Sequence, residues 1–286
     1  MQAIARDVYL EDQYLGVTLG AIVLTHGLLQ IDAPPSPEDG RAWRAALLNL
    51  GGSSERMLIN LDAHPDRTLG VRAMDCTVLA HEKTATVFRS RPTTFKAQGD
   101  ETGADWESIP GLGNIRWSPP EITFSHQMTL HWGDISVHVD HHPGPSQGAA
   151  WVVLPEVKVV FVGDAVVRGQ PPFLANADIP AWLETLKLLS SSTYRGWQVV
   201  SGRNGVVNAE HIRVQLDFLK MAHTKIERLA QRKVPLDAVE DVANVLLGEF
   251  KVSSSRHQKF QQRLRHGVQN YYLRHHHPSG GILGEE

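Results

Sequence analysis

The hydrophobic and polar positions in the first part of the chain predict several strands and one helix. Residues 8–23 alternate loosely between apolar and polar side chains and are rich in aromatic and β-branched residues, as is typical of strands. Ser36 and Pro37 predict a helix start, because serine caps a helix and proline suits its first position. The predicted elements are two strands within 8–23, strands at 27–32, up to 59 and at 77–81, and a helix from 37 to 50.

The second part of the chain predicts further strands and then a helical end. Apolar residues such as Ile212, Leu216 and Leu219 recur at helical spacing, which indicates amphipathic helices beyond residue 207. The predicted strands are 121–124, 128–132, 134–139, 149–154, 157–162 and 197–200, and the predicted helices are about 178–190, 208–232, 236–250 and 254–274.

Residues 91–120 contain prolines and glycines that interrupt both the strand and the helix pattern of apolar residues. We interpret them as a long surface loop with about one helical turn, which is either a lid or a simple excursion. Trp106, Trp117 and Phe173 could line a pocket beneath this loop, or they could only anchor it.

Composition narrows the classes of protein. Hydrophobic residues make up 42% and charged residues 21% of 286 residues, as in ordinary globular proteins. A net charge of −3 gives no reason to expect nucleic acid as a partner. No run approaches the roughly 20 apolar residues of a membrane span. With no secretory signal pattern and one cysteine, Cys76, we expect a cytoplasmic protein without a disulfide or a membrane partner.

The stretch 59–70 carries the densest candidate chemistry. Asp62, His64 and Asp66 alternate directly after a predicted buried strand, so their side chains could converge at the strand end. Two carboxylates and an imidazole are suitable ligands for a divalent cation. Arg67, which closes this cluster, is a residue that a metal site normally avoids.

Four motifs in order resemble the metallo-β-lactamase superfamily. They are the stretch 61–67, the histidine–glycine turn 141–144, Gly163-Asp164, and Gly202-Arg203-Asn204-Gly205. The resemblance covers about residues 7–206 and implies a four-layer αββα sandwich, with its site at one edge of two sheets. We therefore expect a sandwich at 1–206. The helical spacing beyond it predicts a C-terminal extension at 207–286 that packs on the sandwich, and the composition after the last helix predicts a disordered tail from about 276.

The resemblance also assigns the site residues position by position. The first metal site would use Asp62, His64 and His141, with Asp164 bridging to a second site. The second site would use Asp66 with Arg67 and Arg203, both of which stand where the family has histidine. A guanidinium has no lone pair to offer a cation, so two arginines argue against a second metal.

The two arginines add about two positive charges, which equals the charge of the lost divalent ion. Asp66 and Asp164 would otherwise be close, poorly solvated like charges. We therefore expect Arg67 and Arg203 to form a salt-bridge network with these two carboxylates.

Two functions follow from this interpretation, and the sequence leaves both open. One is a hydrolase of an ester, lactone or similar small molecule, with at most one Zn, Mn or Fe ion on Asp62, His64, His141 and Asp164. In it Asp66 or Asp164 would act as the base, and Arg203 or Arg67 would bind an oxyanion. The other is a catalytically inactive member, without a metal, that serves in binding or assembly. The helical end could also form a homodimer contact.

Overall fold

Two sheets face each other in the computed structural model, which describes residues 1–51, 55–97, 101–232 and 238–276. The first sheet has the order β1-β2-β3-β4-β5-β6-β9. Its strands from β1 to β4 are antiparallel, and β4, β5, β6 and β9 run parallel. The strands are β1 Gln2–Ala5, β2 Val8–Glu11, β3 Leu19–Leu24, β4 Gly27–Ile31, β5 Arg56–Ile59, β6 Thr77–His81 and β9 Ile122–Phe124.

The second sheet contains β10 to β15 in chain order. Only β13 and β14 pair in parallel, across the helical crossover between them. The strands are β10 Gln127–Leu130, β11 Val137–His141, β12 Ala150–Leu154, β13 Val159–Gly163, β14 Gln198–Ser201 and β15 Val206–Val207, and a separate ribbon consists of β7 Thr94–Phe95 and β8 Ile115–Arg116.

Helices cover the outer face of each sheet. Ser36 accepts hydrogen bonds from the amides of Glu38 and Asp39, and Pro37 opens α1, which confirms the predicted helix start. The helices are α1 Pro37–Leu48, α2 Pro65–Thr68, α3 Val71–Met74, α4 Glu82–Ser90, α5 Ile179–Leu189, α6 Ala209–Arg232, α7 Ala238–Leu247 and α8 Ser254–His276.

Three hydrophobic clusters hold the layers together. The inner faces of the two sheets meet in one cluster, which includes Leu29, Ile59 and Phe161. Trp43 of α1 packs on the outer face of the first sheet. Side chains of α5 to α8 pack with Trp151 and its neighbours on the outer face of the second sheet. Because burial of apolar area is the main stabilising contribution, these clusters make an αββα sandwich with its helical end attached.

The predicted loop 91–120 has more structure than the sequence indicated. Its described residues include the β7–β8 ribbon and a 3₁₀ turn at Trp106–Ser108. Trp106 and Trp117 are buried in a small cluster with Phe88 and Leu69. The segment therefore packs as a cover over α2 and α4.

Two further expectations from the sequence concern membrane-spanning helices and the C-terminal tail. Within the described ranges, none of the helices combines the length and apolar character needed to cross a bilayer. The predicted disordered tail lies outside the described residues, apart from His276 at the end of α8.

Candidate functional site

The candidate site lies where four strands end at one edge of the two sheets. In the first sheet Ile31 pairs with Ile59 in parallel register, which brings Asp32 beside the chain that leaves β5. In the second sheet Gly163 pairs with Ser201, which brings Asp164 beside the chain that leaves β14. The carboxyl ends of parallel strands meet at one edge, and the register therefore gathers these side chains.

The chain after β5 is held in a tight local turn. Asp62 Oδ1 accepts a hydrogen bond from the amide of His64 at 2.8 Å. His64 caps α2, because its Nδ1 accepts a hydrogen bond from the amide of Asp66 at 3.2 Å. An acceptor Nδ1 means a neutral ring, and burial together with the charge of Arg203 lowers the pKa of His64 well below its usual value.

Arg67 lies fully buried among three carboxylates. Its Nη1 donates to Asp32 Oδ2 at 3.1 Å, and its Nε lies 3.1 Å from Asp62 Oδ1. Its Nη2 donates to Asp164 Oδ1. Burial alone would lower the pKa of Arg67, but the surrounding carboxylates raise it, so that the guanidinium stays charged.

Arg203 is the second buried cation, and only 1% of its surface is exposed. Its Nε donates to both oxygens of Asp164, at 3.1 and 3.2 Å. Its Nη1 donates to Asp66 Oδ2 at 2.6 Å and to the carbonyl of Gly16 at 2.7 Å. Nη2 lies 3.3 Å from Nδ1 of His64. The donors of this guanidinium are thus directed at groups inside the protein.

Asp164 joins the two arginines. Burial by itself would raise its pKa, but the guanidiniums of Arg203 and Arg67 outweigh burial and hold the pKa below its usual range. Asp164, which the resemblance would make the bridge between two metal sites, thus lies between two guanidiniums. Arg67 and Arg203 contact Asp164, and Arg203 contacts Asp66, as the charge count predicted.

Asp32 extends this buried network. It accepts hydrogen bonds from the amide of Leu61 at 3.0 Å and from Arg67. Burial raises the pKa of Asp32 to about 7, although Arg67 opposes the shift. Asp32 therefore belongs to the network as a buried acceptor for Arg67 and for the Leu61 amide.

Glycines leave the room that the Arg67 guanidinium occupies. A Cβ added at Gly202 would lie 2.9 Å from both Nη1 and Nη2 of Arg67, and 2.9 Å from the carbonyl carbon of Gly163. A Cβ at Gly163, where φ is +56°, would lie 3.3 Å from Nη1. The glycines of the third and fourth motifs therefore accommodate an arginine in this protein.

We expect Gly202→Ala to lower the free energy of unfolding by about 1–3 kcal/mol, as overpacking against a buried group does. The added methyl group would force Arg67 away from its carboxylates. Urea unfolding measures this change, with Gly113→Ala as the matched control, because a Cβ at Gly113 meets nothing within 4 Å. Equal stability of the two variants would contradict the close packing of Gly202 against the guanidinium.

A third arginine and an aromatic ring close the site from outside. Arg263 of α8 donates to the carbonyl of Gly103 at 2.9 Å and to Asp105 Oδ2 at 3.4 Å. The Phe173 ring lies 4.1 Å from the guanidinium carbon of Arg263 and 4.6 Å from that of Arg203. The same ring lies 4.4 Å from the His64 ring. Cation–π contacts of this kind hold Phe173 over the network.

The segment 91–120, which covers α2 and α4, also forms a hydrogen bond to the network through a backbone amide. The amide of Trp106 donates to Asp66 Oδ1 at 2.7 Å. Lys259 of α8 donates to Asp105 Oδ1 at 3.3 Å and to Ser108 at 2.7 Å. The segment is thus held by Asp66 on one side and by α8 on the other. Phe173 packs over the arginines and does not line an open pocket.

His141 is held in a different set of contacts from His64. Its Nε2 lies 2.8 Å from the carbonyl of Gln147, and its ring stacks on His81 at 3.8 Å. Burial lowers the pKa of both His81 and His141. Over the part of the chain that the structure describes, no three or more His, Cys, Asp or Glu side chains are arranged to hold a metal ion.

The side-chain atoms that would ligate a first metal ion already contact other groups of the protein. Asp62 is engaged by Arg67 and by the His64 amide, and Asp164 is engaged by both arginines. His64 offers its Nδ1 to an amide, and His141 faces a carbonyl. A divalent cation would have to share this space with two guanidiniums, and so these residues do not fit one.

The proposed catalytic roles of Asp66, Asp164, Arg67 and Arg203 meet the same obstacle. None of these side chains is more than 4% exposed. A base or an oxyanion donor must come within hydrogen-bonding distance of the substrate. In this conformation the four side chains contact one another instead.

The sequence argument missed several members of the network. Asp32 ends a strand parallel to the one before Asp62, and the strand-end argument could have found it. Asp105, Lys259 and Arg263 come from a loop and a distant helix, and nothing near them indicates that they meet.

The two facing sheets, their helical layers and the strand-end site define a metallo-β-lactamase-like sandwich. The sequence profile described as the metallo-β-lactamase superfamily matches residues 69–231, more than half of the chain. The protein therefore belongs to the metallo-β-lactamase superfamily. The matched residues begin just after Arg67, so the altered first motif lies outside them. A search of curated proteins gives no match to this chain.

Solved structures with the same fold include the following three. A metallo-β-lactamase from Pontibacter korlensis is 18% identical with a TM-score of 0.60, covering 77% of this chain and 97% of that one. A metallo-β-lactamase family protein from Thermus thermophilus is 18% identical with a TM-score of 0.63, covering 95% of this chain and 94% of that one. A stereoselective inverting sec-alkylsulfatase from Pseudomonas sp. is 14% identical with a TM-score of 0.65, covering 96% of this chain and 49% of that one. At these identities the likeness shows the fold alone.

Proposed function

We propose that this protein is a metal-independent member of its superfamily that serves in binding or assembly rather than in hydrolysis. One observation carries the proposal. The guanidiniums of Arg67 and Arg203 occupy the space among Asp62, Asp66 and Asp164. Their fixed charges compensate the carboxylates, as a divalent ion would otherwise do.

The closure of the site supports the same proposal. Hydrolysis requires a water molecule and a substrate carbonyl to reach the base and the electrophile together. Asp66 is fully buried and accepts hydrogen bonds from Trp106 and Arg203, and Phe173 lies over Arg203. A substrate would have to displace this packing before any of these groups could act on it.

A buried ion network also explains how the fold remains stable in such a protein. Carboxylates buried without partners are costly, and each charged pair with good geometry offsets part of the desolvation penalty. Here the compensating charges belong to the chain itself. The sandwich therefore needs no metal ion to keep the strand ends together.

The test is metal analysis of the protein purified without chelator and without added metal, followed by assays on a panel of esters and lactones. We expect a metal content far below one ion per chain, an unchanged melting temperature with chelator, and no hydrolysis above the uncatalysed rate. One bound ion per chain, with hydrolysis that is lost in Asp62→Ala and His64→Ala, would overturn the proposal in favour of the single-metal hydrolase.

A further inference from the structure

A groove on the surface of α6 and α7 lies apart from the arginine–aspartate network. It consists of two adjoining depressions with volumes of about 270 and 360 Å³, which share Lys225 and Arg228. We call it the α6–α7 groove, and the residues that matter for its chemistry are Lys225, Arg228, Leu229, Arg232, Val242 and Val245.

The α6 side of this groove is strongly basic. Among the described residues it contributes four cations, whereas the acid that lines the groove is Asp241 of α7. Arg228 and Arg232 are exposed, and within the described ranges neither they nor Lys225 forms an ion pair. The chain as a whole has a net charge of −3, so this concentration of positive charge is local. Uncompensated charges at one place attract a partner of opposite charge.

The groove also has an apolar floor. Leu229 is half-buried in it, and Val242 of α7 packs partly against the core. Val245 lies one helical turn further along α7 and is 50% exposed. The cations at 225, 228 and 232 follow helical spacing along one stripe of α6, beside this floor. The surface is therefore apolar in the middle and cationic on one side.

We infer that the α6–α7 groove binds an acidic amphipathic helical segment of a partner protein. A helix that lies between two helices places its apolar side chains on the floor. Its acidic side chains then face Lys225, Arg228 and Arg232 of α6. The inference rests on the proposed binding function and names the class of partner.

The distribution of charge favours such a segment over a polyanion. Asp241 on the α7 side is exposed, and it would repel the phosphates of a nucleic acid or of an anionic membrane. A phosphate backbone also has no use for the apolar floor. A helix with carboxylates on one flank only avoids Asp241 and still uses the floor.

The test selects peptides of about 14 residues, roughly four helical turns, from a displayed random library on the full chain. The enriched sequences should carry apolar residues at helical spacing with Asp or Glu on one flank. Fluorescence polarisation then measures a labelled peptide from this set, a scrambled version of it, a short DNA duplex and phosphatidylserine vesicles. Enrichment of basic sequences, or tighter binding of duplex or vesicles than of the peptide, would contradict the inference.

Variants at exposed positions locate the binding. The pair Arg228→Glu with Arg232→Glu should weaken the peptide at least about 10-fold, because like charges then face each other. The pair Arg195→Glu with Arg213→Glu makes the same change in net charge elsewhere on the surface and should leave the affinity unchanged. Equal effects of the two pairs would refute binding in this groove. Failure of the proposed function is separate, since it appears in metal content and hydrolysis.

Discussion

Arg67→Ala is expected to lower the free energy of unfolding by about 3–5 kcal/mol, the cost of removing one partner from a buried ion pair. Asp32, Asp62 and Asp164 would lose the guanidinium that they share. The remaining carboxylates would stay buried with less compensation. Urea unfolding at neutral pH measures the loss.

Two variants show whether charge or shape matters at this position. Arg67→Lys keeps the charge, but one ammonium cannot span three carboxylates as a planar guanidinium does, so we expect an intermediate loss. Arg213→Ala is the control, because Arg213 is 66% exposed and its ion pair is with Glu210, on the surface of the same helix. A loss for Arg67→Ala as small as that of the control would refute a stabilising network.

The combination of Arg67→His with Arg203→His is expected to make the stability depend on zinc. Two neutral imidazoles replace two positive charges, and Asp66 and Asp164 are then left without compensation. A divalent cation can restore both the charge and the coordination. At a zinc concentration 100 times its dissociation constant, binding stabilises the folded state by about 2.7 kcal/mol.

Melting curves with and without zinc measure this dependence, and circular dichroism follows zinc-induced folding if the double variant is unfolded alone. The pair Arg195→His with Arg213→His adds the same number of histidines on the surface and serves as the control. The wild-type protein should not respond to zinc either. A zinc effect no larger than that of the control would mean that the arginines did not replace a metal.

Much of the fold follows from local patterns in the sequence. Ser36 and Pro37 start α1 as the capping chemistry requires, and the strand that ends at Ile59 precedes the first motif. Amphipathic spacing predicted α6 to α8 to within a few residues. These features depend on neighbours in the chain, and a pattern of residues is enough to reveal them.

Part of the site could be predicted from the order of the motifs and from the charges of their residues. Arg67 and Arg203 could be paired with Asp66 and Asp164 because motif order places them together and charge must balance. The resemblance grouped His141 with His64, and in this structure His141 stacks on His81 and faces the carbonyl of Gln147. The stacking depends on side-chain packing between strands, which motif order does not encode.

The sequence by itself determined the class of fold and the chemical conflict at the site, because both rest on residue types at fixed spacing. Only the tertiary structure decided how the conflict is resolved. Arg67 could have turned to solvent, but the register of β4 with β5 and of β13 with β14 surrounds it with carboxylates. The distant Arg263 and Phe173 then cover the network, and its burial makes each charged contact stronger than it would be on the surface.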